Sequence, residues 1–432
     1  MEKDLFKKLI VEWLERKLPE LIERDLKFKP AEDITAVIGP RRVGKTYFMF
    51  QIIKELLKKT SKEGILFIDF EDNRLTGLKA NKLDDLFLVH KELSEQELKY
   101  LFFDEIQEIE GWSKFVRRLH STRKYRIIIS GSSSKLLGKE IATELRGRYK
   151  TIFVAPFSFK EFLHLKKFEY TPKIEYSAEK GTLLRRFKEY LEYGGYPEII
   201  KESDLFEKKE KINSYYDAIF YKDIVERHKI TNYEIMEMLM NYLVNNPASV
   251  FSISNFEKVL KEKGLKVSKK TISLYLKYLE EAFFVYALEE FSYSARKRIM
   301  RPKKIYLVDN ALVTFLSSQF SPDTGKLLEN TVVTELKRQK KEAFFFKGKK
   351  ECDFVLKERG RISQAIQVCY SLNEKNKERE LKGLLEAMDY FKLKEGIMLT
   401  YEQEDKLTIK NKKIKIVPVW KWLLFNTEFP AG

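Results

Sequence analysis

Ile34-Thr35-Ala36-Val37-Ile38-Gly39-Pro40-Arg41-Arg42-Val43-Gly44-Lys45-Thr46-Tyr47-Phe48-Met49-Phe50 opens apolar, turns through a glycine-bounded loop and closes apolar. Ile34 to Ile38 reads as a short buried strand and the residues after the loop as a helix. Gly39 to Thr46 keeps the G-x-x-x-x-G-K-S/T spacing without a mismatch. The residue types suit an anion. The two glycines let backbone N–H groups curl around phosphate oxygens with no Cβ in the way. The helix that follows turns the positive end of its dipole to the same place. Lys45 can reach β- and γ-phosphates, and Thr46 offers a hydroxyl to a magnesium ion. Gly39, Pro40, Arg41, Arg42, Val43, Gly44, Lys45 and Thr46 are therefore the expected cradle of a nucleoside triphosphate. A chance glycine turn beside a lysine would lack the strand before it and the helix after it.

Downstream, Gly64-Ile65-Leu66-Phe67-Ile68-Asp69-Phe70-Glu71-Asp72 reads as a buried strand ending in acids. Lys99-Tyr100-Leu101-Phe102-Phe103-Asp104-Glu105 is a second apolar strand, and its Asp-Glu end is a Walker B signature. Asp104 is expected to hold magnesium, and Glu105 to polarise the attacking water. Tyr125 to Ser134 gives a fourth strand ending in hydroxyls, with Ser130 assigned to a sensor position between nucleotide and water and Ser132 or Ser133 to a helix cap. Thr151 to Val154 is the fifth strand. Just before it, Arg146 and Arg148 are candidates for an arginine that reaches the γ-phosphate, in cis or from a neighbouring copy. Each could equally be a surface ion pair. Strands alternating with helices predict a parallel sheet with the ligand at the carboxyl ends of its strands. ATP and magnesium are the expected cofactors.

The 432-residue length asks for two to four domains. A formal net charge of +17 invites an anionic partner, although a solvated lysine-rich surface gives the same number. The two cysteines, Cys352 and Cys369, and the four histidines fall at no zinc spacing. No apolar run is long enough to cross a bilayer, and the charged N-terminal stretch is no signal peptide. The expectation is a cytoplasmic protein without a membrane partner.

Leu5, Phe6, Leu9, Ile10, Trp13, Leu14, Leu18, Leu21 and Ile22 recur at helical spacing and predict an amphipathic helix, broken near Pro19 and again at Pro30, within residues 1–30. The nucleotide core then spans 31–157. Residues 158–246 read as a helical lid, interrupted by Tyr193-Gly194-Gly195-Tyr196-Pro197-Glu198. Residues 247–310 predict a helix over Ile253 to Lys263, a turn at Gly264, a second helix capped by Ser268, and a hairpin from Phe283 to Val308. Ile272, Tyr275, Leu276 and Leu279 line one face of the second helix; Lys269, Lys270, Ser273 and Lys277 line another. The hairpin tip carries Arg296, Lys297, Arg298 and Arg301. This is the order of a winged helix-turn-helix, with the helix facing a major groove and the wing facing phosphate, so double-stranded DNA is the expected partner. Such modules also serve as protein docking sites or lids.

Residues 311–432 predict an αβββαβ order: a helix with Glu329 and Glu335, three strands, helix Lys377 to Phe391 and strand Gly396 to Thr400. That order, with Asp353 on one strand and Gln367-Val368-Cys369 on the next, suggests a restriction-endonuclease-like core. Active members need Asp and then Asp/Glu-x-Lys to hold magnesium and activate water. An amide and a thiol stand here instead, so the site lacks a metal ligand and a general base. The expected fold is thus α/β throughout: a P-loop parallel sheet with a helical lid, a winged helix-turn-helix, and a nuclease-like domain that is inactive.

The chain resembles the archaeal and bacterial ATPases of the AAA superfamily that join an AAA core to a C-terminal domain of unknown function. The resemblance rests on GPRRVGKT, IDFED, YLFFDEIQEIEGW, SGSSSKLL, LRGRY, PFSFKEFL, YGGYPE, RPKKIYLVDNAL, LLENTVVTELKR, ECDFVL and IQVCY, which span nearly the whole chain. It implies an AAA-type ATPase, followed by a winged helix and a nuclease-like domain, and by position supports Lys45, Thr46, Asp104, Glu105 and Ser130. Three functions are compatible: a magnesium-dependent ATPase that controls a DNA-binding winged helix, a signalling or protein-remodelling ATPase whose winged helix is a docking or lid module, and an ATP-driven nuclease. A homo-oligomer fits any of them.

Overall fold

Within the first of the chain's two units, Met1–Ala155, the apolar segments expected as strands lie side by side. The computed structural model describes residues 2–28, 32–132, 147–318 and 323–425. Helix α1 (Glu2–Glu15) buries Phe6, Ile10 and Trp13, and the Trp13 indole N–H donates to the Ile65 carbonyl at 2.7 Å. The helix is shorter than the apolar spacing predicts: Leu18, Leu21 and Ile22 lie beyond it, partly buried in non-helical chain. Pro19 accounts for this. Its ring would clash with the carbonyl four residues back, that of Glu15, where the helix stops.

Strand β1 (Ile34–Ile38) leads to α2 (Lys45–Leu56). There follow β2 (Ile65–Asp69), α3 (Asp85–Leu93), β3 (Tyr100–Asp104), α4 (Trp112–Ser121), β4 (Arg126–Gly131) and β5 (Tyr149–Phe153). The sheet order is β2-β3-β4-β1-β5, and every pairing is parallel. β1 is buried along its whole length, as the continuous apolar reading requires of a strand covered on both faces. Because all five strands run one way, the ends of β1, β3 and β4 reach the same edge of the sheet.

The second unit, Pro156–Gly432, begins helical: α5 (Phe159–Leu165), α6 (Lys180–Tyr193), α7 (Pro197–Lys201), α8 (Leu205–Ala218), a π-helical turn over Ile219–Glu226 and α9 (Tyr233–Asn245). A reciprocal capping box between Ser158 and Glu161 starts α5. Strand β6 (Ser249–Phe251) then precedes α10 (Ile253–Glu262), α11 (Lys269–Glu281), β7 (Val285–Glu289), α12 (Ala295–Met300) and β8 (Lys303–Leu307). Gly264 turns the chain at φ 79, and the Ser268 side chain accepts the Thr271 N–H to cap α11. The expected two-stranded hairpin is a three-stranded antiparallel sheet in the order β6-β8-β7, with a helical turn at its tip. A three-residue strand shows no periodicity, which is why β6 escapes a sequence reading. The tip becomes α12 because the Ser294 hydroxyl accepts the Lys297 N–H at the start of a run of good helix formers.

Helix α13 (Asn310–Leu316) and α14 (Thr324–Arg338) lead to β9 (Glu342–Lys347), β10 (Glu351–Glu358), β11 (Arg361–Val368), α15 (Lys377–Tyr390) and β12 (Glu395–Thr400), the expected αβββαβ order. It continues with β13 (Asp405–Ile409), β14 (Lys412–Pro418) and α16 (Val419–Phe425). The six-stranded order is β13-β14-β12-β11-β10-β9. β9 to β11 pair antiparallel, β11, β12 and β14 pair parallel, and β13 returns antiparallel. Met388 and Leu384 of α15 pack with Val355, Ala365 and Met398 of the sheet to form the core of this part.

Candidate functional site

The loop from β1 to α2 closes as its glycines predict. A Cβ on Gly39 would lie 2.0 Å from the Val154 carbonyl oxygen, and Gly44 enters α2 at φ 90. No side chain caps α2, so the leading N–H groups of that helix remain for an anion. Val43 is fully buried under the loop, and Arg42 takes a positive φ of 63. Arg41 pairs with Glu71 at 3.1 Å.

Lys45 is buried, with its ammonium 3.2 Å from the Pro40 carbonyl and 3.2 Å from Glu105 Oε1. The Thr46 hydroxyl donates to Asp104 Oδ2 at 2.5 Å. Ser130, one strand over on β4, donates its hydroxyl to Asp104 Oδ1 and accepts the Glu105 N–H at 3.0 Å. Glu105 Oε2 accepts from the Gln107 amide at 2.6 Å and from the Ser132 N–H at 3.1 Å. The loop lysine and threonine, the acids ending β3 and the serine of β4 thus form one hydrogen-bonded group. Glu105 has φ 46 and ψ 48, a left-handed conformation unusual for a non-glycine residue. The N–H bond to Ser130 and the three contacts to its carboxylate hold it there.

Burial and the neighbouring Glu105 push the Asp104 carboxyl up to about 6. Burial pushes Glu105 up as well, but Lys45, Gln107 and Arg41 together outweigh it and hold Glu105 below the usual carboxylate range. Glu105 is therefore an anion at neutral pH, as an acceptor of a water proton must be.

Arg148 is exposed, and its carbonyl accepts the Ile34 N–H at 3.2 Å. Arg146 and Ser133 lie outside the described residues. Sequence reading missed Arg24, a buried residue whose guanidinium donates to the Val43 carbonyl at 3.4 Å and to the Ala155 carbonyl, bracing the loop from below. No signal pointed to it, since an arginine between Glu23 and Asp25 reads as solvated.

On α11, Lys269, Lys270, Ser273 and Lys277 are exposed, opposite the buried Ile272, Tyr275, Leu276 and Leu279. Lys269 stands 3.9 Å from Glu257, and Lys277 stands 3.6 Å from Glu281. Arg296 and Lys297 on α12 are exposed. Arg298 and Arg301 are drawn back from the tip: Arg298 donates to the Ser292 carbonyl at 2.7 Å and stands 3.5 Å from Glu289, and Arg301 pairs with Glu290. Three exposed apolar residues, Tyr293, Ile299 and Met300, share that tip.

At the C-terminal sheet, Asp353 on β10 and Gln367 on β11 come together: the Gln367 amide oxygen accepts the Asp353 N–H at 3.3 Å, and its amide donates to Glu380 at 2.8 Å. Cys369 is buried, and burial holds its thiol up at about 12. A thiol so held is no base near neutral pH.

Residues 31–163 match the AAA domain family, residues 184–323 a domain of unknown function (DUF8612), and residues 324–422 a second domain of unknown function (DUF4143). An uncharacterized protein of Methanocaldococcus jannaschii is 41% identical over 98% of this chain and 96% of its own length. An uncharacterized protein of Haemophilus influenzae is 29% identical over 93% of this chain and 97% of its own length. Among solved structures, the Walker-type ATPase of Pyrococcus abyssi aligns over 73% of this chain and 95% of its own, at 14% identity and a TM-score of 0.42. Among the described residues, no helix is long and apolar enough to cross a membrane.

Proposed function

This chain belongs to the AAA superfamily of P-loop ATPases, and from that premise we propose a magnesium-dependent ATPase whose nucleotide state controls a DNA-binding winged helix. The observation that carries the ATPase reading is the single group formed by Lys45, Thr46, Asp104, Glu105 and Ser130 at the end of the parallel sheet. The donor set suits magnesium: a threonine hydroxyl and a buried carboxylate already face each other at 2.5 Å. Thr46 and Asp104 would hold a magnesium ion, which would supply charge neutralisation at the phosphates. The remaining work falls to the chain. The loop amides and Lys45 bind the phosphates. Lys45 spends part of its charge on Glu105 in the structure, so an arriving phosphate competes for that ammonium and frees Glu105 Oε1 to accept a proton from water. Ser130 fixes Asp104 and the Glu105 backbone in one register. The accompanying domain reading is an N-terminal helix over 1–30, an ATPase core over 31–157, a lid over 158–246, a winged helix over 247–310 and a nuclease-like domain over 311–432.

Arg148 lies beside Ile34, at the edge of the sheet opposite the Gly39–Thr46 loop, so it does not reach the phosphate of its own subunit; we propose that it acts on a neighbouring copy, and that Arg146 is a phosphate-facing arginine. If they act from a neighbouring copy, specific ATPase activity should rise with protein concentration. Arg146→Ala and Arg148→Ala should then lose hydrolysis and keep ATP affinity; full activity in both leaves them structural.

The DNA reading is supported by the exposed Lys269, Lys270 and Ser273 in the first turns of α11 and by Arg296 and Lys297 on α12. Its test is fluorescence anisotropy on a DNA duplex over a salt series, with and without ATP. Affinity should fall by about 0.9 log unit per log unit of salt for each phosphate contact. Reversing Lys269 and Lys270 to Glu should weaken binding and flatten the slope, with little change in basal ATPase activity. The exposed Tyr293, Ile299 and Met300 favour a second reading, in which the same tip docks on a protein. Equal DNA affinity of the double variant and the parent at matched salt decides for that reading.

A further inference from the structure

We propose that the ammonium of Lys304 stands in the place of the divalent cation that the acidic end of the C-terminal sheet would otherwise bind, so that this site holds no metal and does not hydrolyse phosphodiesters. A nuclease-like sheet of this kind implies a metal between the carboxylates at its active end. The residues present do not fit one.

Lys304 comes from β8, a strand of a different sheet, and is 4% exposed. Its Nζ lies 2.7 Å from Glu329 Oε1 on α14, 2.7 Å from Glu351 Oε1 and 2.9 Å from Asp353 Oδ1, both on β10. An ammonium has three N–H donors and no acceptor, so three carboxylates saturate it. The carboxylates are occupied in turn. Glu329 Oε1 also accepts the Tyr306 hydroxyl at 2.6 Å, and Asp353 Oδ2 accepts the Val368 N–H at 2.9 Å. Magnesium or manganese would need these same oxygens at about 2.0–2.2 Å. An ion that close to Glu329 Oε1 and Asp353 Oδ1 would collide with the Lys304 ammonium and be repelled by it. Burial pushes Lys304 down, but Asp353, Glu329, Tyr306 and Glu351 together outweigh it and hold its pKa well above the ordinary lysine value. With its three N–H donors committed to Glu329, Glu351 and Asp353, the ammonium has no lone pair to offer a water proton. Nor is access the obstacle, because Glu329, Glu351 and Asp353 line a cavity of about 510 Å³. The occupant excludes the metal.

The arrangement also ties two parts of this unit together. Glu290, just past β7, bridges to Phe345 of β9, and the Phe291 N–H donates to the Phe345 carbonyl at 2.8 Å. The Lys304 cluster is then a charged pin beside a backbone seam.

The test uses the full chain without nucleotide. Ferrous iron bound to a protein reduces added hydrogen peroxide to hydroxyl radical, which cuts the nearby backbone, while ascorbate returns the ferric ion to ferrous. The parent should not be cut around residues 351–353. Lys304→Met should be cut there, and Lys304→Met/Asp353→Asn should not. Manganese should raise the Tm of Lys304→Met by about 5–10 °C at roughly a hundredfold excess over its Kd, and leave the parent unmoved. Lys304→Gln gives the same reading if the methionine variant does not fold. Plasmid incubated with the parent and magnesium or manganese should stay intact. Iron cutting of the parent at 351–353, or nicking that disappears in Asp353→Ala, overturns the proposal. So does a folded Lys304→Gln indifferent to manganese, and so does failure of both variants to fold with millimolar manganese present.

Discussion

Glu105→Gln should bind ATP at least as tightly as the parent and hydrolyse it roughly 100-fold or more slowly, because a positioned general base contributes about 10²–10⁴-fold. The substitution keeps an amide oxygen for the Gln107 and Ser132 donors but removes the charge. It also releases Lys45, which stands 3.2 Å from Glu105 Oε1 in the parent, so phosphate meets no competitor for that ammonium. Lys45→Ala separates the two functions. It leaves Glu105 in place and deletes the cation facing phosphate, so it should lose nucleotide affinity first. Titration with a fluorescent ATP analogue and a phosphate-release assay check both. Undiminished turnover in Glu105→Gln would sink the role given to that residue.

Much of this site was legible because its residues are fixed by chemistry at short range. The loop spacing names its own ligands, and an apolar strand ending in Asp-Glu places two carboxylates at the end of β3. What the sequence withheld was contact between distant segments. Ser130 is expected at a sensor position between nucleotide and water; the contacts of its hydroxyl with Asp104 and the Glu105 amide carry no signal in the sequence. Arg24 braces the loop from a place where an arginine between two acids reads as solvated. Arg298 and Arg301 looked like tip residues, and Glu289 and Glu290 draw them back. Lys304 carried no signal at all. A lysine beginning a strand reads as solvated, and nothing local says that Glu329, Glu351 and Asp353 converge on it. In the fold, the long apolar strands were readable, whereas β6, with three residues, and β13, at a sheet edge among lysines, were not.

Gly194→Ala should unfold the second unit far more readily than a surface substitution, by about 3–5 kcal/mol. Gly194 has φ 70 and ψ −158, a region essentially restricted to glycine and worth about 1–3 kcal/mol of strain in any other residue. A Cβ there would fall 1.7 Å from Asp309 Oδ1. Asp309 cannot move away cheaply, because its Oδ2 accepts the Gly195 N–H at 2.7 Å and its Oδ1 accepts the Ala311 N–H at 2.9 Å, capping α13. Displacing it strands buried donors at about 1–3 kcal/mol. The same carboxylate makes a signed pH prediction. Burial raises Asp309 to about 7, against the opposing pull of Gly195, Ala311 and Arg338. The unfolded chain then gives up this proton at lower pH than the folded one, so the contribution of Asp309 to stability falls as pH rises from about 4 to 7 and is flat above. Asp309→Asn has no such proton, and its urea midpoint should lack that part of the slope. Parallel midpoint–pH curves for parent and variant would show that Asp309 is not held protonated. A Gly194→Ala midpoint within error of the parent would show that the glycine turn and the cap of α13 are not locked together as this geometry requires.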